Sequence, residues 1–172
     1  MLRNMCLTVI ASLMLGACAT GPAVKEGIYH IRAEDTVEIQ TRMQDSVNSL
    51  RAGAGLSPLS LNAQLTAAAQ THARDMSRQV RAWPFGSDGS SPYTRAARAG
   101  YSGEVVGEMY SQSFETELET LTAWMQDPAW KGEILSSDAT EMGFGWQQDR
   151  SGLIWWVMNV GRGSAAGPDV NF

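Results

Sequence analysis

Cysteine and histidine are scarce in this chain, with two of each in 172 residues. Cys6 lies inside an N-terminal apolar run, so a fold stapled by a framework of disulfides is excluded. Positive charge is short as well: 13 Lys+Arg stand against 18 Asp+Glu, a net charge of −5 and a pI near 5.0. That balance argues against the phosphate backbone of a nucleic acid as partner. A run long enough to span a bilayer is also missing, because the apolar stretch from Met5 to Leu15 is too short. No Gly-x-Ser-x-Gly elbow presents a nucleophile. What is present is a chain 44% apolar and 18% charged, with six Trp, 17 Gly and six Pro. It reads as one domain with a substantial core and many tight turns, which excludes a coiled coil, a collagen helix and a mostly disordered chain.

The N-terminus reads as an address. Arg3 precedes the apolar run, and Leu15-Gly16-Ala17-Cys18 resembles the bacterial lipobox, in which the cysteine is lipidated and becomes the new N-terminus. The expectation is a signal peptide at 1–17, a lipid on Cys18 that holds the protein to a membrane, and a tether at 18–33 containing Gly21, Pro22, Gly27 and a solvated His30. By the same resemblance, Ala19 after the cysteine sorts the protein to the outer membrane. With Cys18 lipidated no thiol remains, so the domain at 34–172 must stand on its core alone.

Along that domain, Asp35 and Glu38 suggest a capping box before a helix with Ile39, Met43, Val47 and Leu50 on one stripe. Ser57, Pro58 and Ser60 introduce a second helix bearing Leu61, Leu65, Ala69, His72, Ala73 and Met76. A loop from Trp83 leads to Ser91-Pro92, the start of a short helix. Glu104 to Ser111 reads as a strand with Val106, Glu108 and Tyr110 on one face. Ser113 caps a fourth helix with Phe114, Leu118, Leu121 and Met125, and Asp127-Pro128 breaks it before a brief helix through Trp130 and Ile134. Met142, Phe144 and Trp146 alternate with Gly143 and Gly145, and a turn at 149–152 leads into Leu153 to Val160, apolar on both faces and hence interior to a covered sheet. The fold class is α+β, with helices on both sides of a small antiparallel sheet.

The ordered motifs resemble the CAP superfamily of cysteine-rich secretory proteins, antigen 5 and pathogenesis-related proteins. They are Leu56-Ser57-Pro58-Leu59, His72-Ala73-Arg74-Asp75-Met76, Gly86-Ser87-Asp88-Gly89-Ser90, Arg95 to Gly100-Tyr101, Gly107-Glu108, Trp124-Met125, Ile134-Leu135 and Thr140 to Gly145, running from about Val47 to Gly161. The resemblance implies a three-layer α-β-α sandwich and a cleft with two His and two acids able to hold Zn²⁺. Carried over position by position, that set is broken: Pro84 stands where the first His belongs, Glu108 is retained, Asp127 takes the place of the second acid, and Trp130 or Asp138 stands where the other His belongs. No zinc site and no cofactor carry over.

His72, on an apolar helical stripe, reads as a packed histidine. Glu108 reads first as a structural acceptor and, alternatively, as a general acid or base raised in pKa by its apolar neighbours. Glu108, Asp127 and Asp138 together would make an all-oxygen site for Ca²⁺ or Mg²⁺, and Trp83, Trp130 and Tyr93 would line an aromatic groove. The leading expectation is a lipid-anchored, non-enzymatic binding or scaffolding module for an unidentified envelope component. The alternative is a hydrolase of envelope peptide, lipid or peptidoglycan working through Glu108.

Overall fold

The computed structural model describes residues 29–164; the expected signal peptide, Cys18 and the first part of the tether lie outside the described residues. In chain order the elements are α1 (Thr36–Gly53), β1 (Ser60–Leu61), α2 (Ala63–Gln79), α3 (Pro92–Arg98), β2 (Glu104–Gln112), α4 (Glu117–Trp124), α5 (Pro128–Ile134), β3 (Glu141–Gln148) and β4 (Ile154–Arg162). The sheet order is β1-β3-β4-β2. β4 is interior and buried on both faces from Ile154 to Gly161, as its unbroken apolar sequence requires. It pairs antiparallel with β2 and β3, while β1 joins β3 in parallel. The sheet is therefore not wholly antiparallel: the extended segment after α1 contributes two residues that reach β3 by way of four helices, a crossover long enough for parallel pairing.

α1, α4 and α5 cover one face, where Ile39, Met43, Val47, Leu121, Trp124 and Ile134 pack on Met109, Met142, Phe144, Trp156 and Met158. On the other face Ala69, Ala73 and Met76 of α2 meet Trp155 and Val157, and Ala96 of α3 joins Leu65, Ala68, Tyr101 and Val105. The result is an α-β-α sandwich. Two glycines set how close α2 lies to the sheet. A Cβ at Gly143 would overlap the backbone of Leu65 and Thr66, and one at Gly145 would come within 2.7 Å of the Gln70 nitrogen.

Several local expectations shift. The fourth member of the α1 stripe is Arg51 rather than Leu50, because steps of four from Ile39 lead to position 51. Leu50 is 39% exposed, whereas Arg51 is fully buried, its guanidinium donating to the carbonyls of Ser57, Ile134, Ser136 and Ala139 at 2.8–3.1 Å. Asp35 turns back to Arg32 instead of forming a box with Glu38. Asn62 caps α2 by accepting from the Gln64 and Leu65 N–H groups, and Thr116, not Ser113, caps α4 in a reciprocal box with Glu119. In β2 a bulge between Val105 and Gly107 breaks the alternation. Val106 packs with the α1 side, while Tyr110 packs with the α2 side. Residues expected in the tether are pinned: the Gln148 amide donates to the Tyr29 carbonyl and accepts from the Ile31 N–H.

Candidate functional site

Glu108 sits just past the β2 bulge, is 8% exposed, and has both carboxylate oxygens engaged. Its Oε1 accepts from an Arg95 terminal nitrogen at 2.6 Å. Arg95 is delivered by α3, whose register is set by the Ser91 hydroxyl accepting from the Thr94 N–H and by Pro92 in its first turn. The same guanidinium donates to the carbonyls of Ser90 at 2.6 Å and Pro84 at 3.0 Å, so one buried cation ties the 83–91 loop to β2. Asn159 stands directly across from Glu108 on β4. With its amide nitrogen towards the carboxylate, the orientation that satisfies both ends, it donates to Oε2 at 3.1 Å and accepts from the Ala69 N–H at 3.2 Å.

His72, on α2, is fully buried. Its Nε2 lies 2.9 Å from the Trp83 carbonyl, which can only accept, so Nε2 carries the proton. The same nitrogen is 3.6 Å from Glu108 Oε1. Burial, then the Arg95 charge, lower the imidazole pKa to about 4. Burial pushes Glu108 up to about 7, with Arg95 pulling the other way. A neutral imidazole with its proton directed at a carbonyl lies beside a carboxyl group held on both oxygens, in a buried polar centre where only His72 Nδ1 and Arg95 Nε lack partners among these groups.

α5 supplies the flank. Asp127 caps it, accepting from the Ala129 and Trp130 N–H groups at 2.8 and 3.3 Å. Trp130 packs edge-on against Tyr110 and Trp124, with ring centroids 5.6 and 6.4 Å apart. Glu133, almost one turn on, rests against Gly107, where a Cβ would collide with its carboxyl group. Its Oε2 is buried without a partner, and burial raises its pKa. Tyr110 is raised too, by burial and by Glu108 and Glu133.

The other residues singled out in the sequence do not converge on this centre. Pro84 contributes its carbonyl rather than a side chain. Asp138 is exposed and faces Arg162 at 4.0 Å, at the sheet end where Arg162 also pairs with Glu104. The all-oxygen cation site on Glu108, Asp127 and Asp138 is therefore not assembled, and no group of three or more His, Cys, Asp or Glu gathers among the described residues. The aromatic groove is divided in the same way. Trp83 packs edge-on against Phe85 at 5.4 Å beneath Arg81, Tyr93 is exposed on α3, and Trp130 packs elsewhere. Sequence reasoning missed Arg95 as the partner of Glu108, together with Asn159 and Glu133. The available signal was the demand of a buried carboxylate for a nearby cation, which the short Ser91-Pro92 helix was placed to meet.

Residues 44–160 match the cysteine-rich secretory protein family, CAP. The chain belongs to this family. YkwD of Bacillus subtilis is 25% identical over 123 residues, 72% of this chain and 47% of YkwD, so the chain spans about half the length of that curated relative. Among solved CAP-fold structures, an outer surface protein of Borrelia burgdorferi superposes with a TM-score of 0.69 at 16% identity, covering 79% of this chain and 98% of that one. An extracellular protein with an SCP domain from Bacillus anthracis gives 0.69 at 16% identity over 78% and 45% of the two chains. A cysteine-rich secretory protein of Staphylococcus aureus gives 0.58 at 17% identity over 77% and 41%. These likenesses establish the CAP fold.

Proposed function

We propose that this CAP protein is a lipid-anchored, non-enzymatic binding or scaffolding module of the cell envelope. The observation that carries the non-enzymatic part is the engagement of Glu108 by Arg95 and Asn159, under a buried His72 whose proton faces a carbonyl. A general acid or base must reach the proton it moves; both Glu108 oxygens are taken, and the free Nδ1 of His72 is fully buried. Trp130 and Pro84, at the positions where the family resemblance puts imidazoles, carry no ligating nitrogen for Zn²⁺. The envelope placement draws support from the lipobox resemblance ending at Cys18 and from relatives described as outer surface or extracellular proteins.

The test is made on the full chain expressed in a bacterial host. The protein is expected in the membrane fraction, with Cys18→Ser moving it to the soluble fraction, and purified material is expected to hold no stoichiometric zinc. Glu108→Gln keeps the side chain's shape and the acceptor towards Arg95, but it cannot cycle a proton. Hydrolysis of envelope peptide, lipid or peptidoglycan that is lost in Glu108→Gln would establish the hydrolase reading instead, and so would bound zinc that disappears with the same substitution.

A further inference from the structure

Between α2 and α3 lies an open cleft of about 390 Å³, within the size range of small-ligand sites. Its wall carries both signs of charge: Asp75 and Arg78 from α2, Asp88 from the loop, and Arg95 and Arg98 from α3. Asp75 is held in place by the Ser87 N–H and hydroxyl, at 2.6 and 2.7 Å, which leaves each carboxylate oxygen a second acceptor position. Arg78 has no carboxylate partner among the described residues. Arg98 and Asp88 pair with each other at 2.5 Å on exposed surface, a bond of the kind that opens cheaply. Arg95, 4% exposed, retains an Nε donor with no acceptor, an unusual state for a buried group.

An anion alone in this cleft would meet Asp75 and Asp88, and a cation alone would meet the guanidiniums. A molecule carrying both charges satisfies both parts of the wall. We infer that the α2–α3 cleft binds a small zwitterion, an amino acid or short peptide with a free ammonium and a free carboxylate. The carboxylate faces Arg78 and Arg98, since guanidinium matches carboxylate in shape as well as charge, and the ammonium faces Asp75. This inference goes beyond the envelope reading and holds whether or not Cys18 carries lipid.

Titration of the full chain with alanyl-alanine, followed by calorimetry or amide chemical shifts, tests it. Saturable binding is expected, at least about tenfold weaker for both N-acetyl-alanyl-alanine and alanyl-alanine amide, since each lacks one charge-assisted contact. Arg78→Ala, an exposed substitution that leaves the melting temperature unchanged, is expected to weaken alanyl-alanine at least about tenfold. The inference is overturned by absence of saturable binding at millimolar alanyl-alanine, by N-acetyl-alanyl-alanine binding as tightly as the free dipeptide (an anion site only), or by an Arg78→Ala variant that binds unchanged.

Discussion

Glu108 and His72 titrate in opposite senses across the same pH interval. Glu108 has a folded pKa of about 7 against an ordinary 4.5, so between those values the folded chain binds more protons than the unfolded one. Its contribution is fully present below pH 4.5 and is lost as pH rises through 7. His72 is depressed from 6.5 to about 4, so its contribution is present above 6.5 and lost as pH falls through 4. Glu108→Gln is a permanently neutral copy of the protonated carboxyl, and His72 is common to both chains. The melting temperature of the wild type, relative to that of Glu108→Gln, is therefore expected to fall as pH rises from 4.5 through 7. A difference that grows over that interval would mean that Arg95 holds the carboxylate ionised against burial. Glu108 was legible in the sequence as a carboxylate on an apolar strand. Its partners were not, since Arg95 is 13 residues away along the chain and Asn159 faces it only once the β2–β4 register is known.

At the scale of elements, the helical stripes were legible in their middles because burial repeats every three or four residues, but not at their ends: Leu50 and Leu118 are exposed, Leu61 lies in β1 and Phe114 precedes α4. The caps were less so, because several side chains near each start can accept the same N–H groups: Ser57, Ser60 and Asn62 before α2, Ser113 and Thr116 before α4. The strand geometry decides among them, and the bulge in β2 leaves no period to read. The glycine face of β3 announced a close approach, and α2 is what approaches. Gly143→Ala is expected to cost about 1–3 kcal/mol through overpacking against the Leu65–Thr66 backbone. Gly132→Ala, in α5 with nothing within 4 Å of the new Cβ, is the control and is expected to gain about 0.5–1 kcal/mol. Denaturant unfolding measures both, and equal effects would show that α2 can move away from the sheet.

For the whole molecule, the succession of helices followed by a terminal hairpin was enough to give the layered architecture, and the CAP motifs agreed with it independently. The parallel β1 edge escaped notice because a two-residue strand has no alternation of its own. Arg95 joins the 83–91 loop, α3 and β2 through Ser90, Pro84 and Glu108. Under the proposed non-enzymatic reading, Arg95 and Glu108 serve the structure rather than a reaction. A thermodynamic cycle on Arg95→Met and Glu108→Leu tests that most directly. Each substitution leaves a buried polar partner unmatched and is expected to cost about 3–5 kcal/mol. At about 2–4 °C per kcal/mol for a domain of this size, each lowers the melting temperature by roughly 10 °C. The double variant, with an apolar pair in place of the ion pair, is expected to recover about 1–3 kcal/mol relative to the sum of the singles. Singles that melt with the wild type, and effects that simply add, would contradict the account.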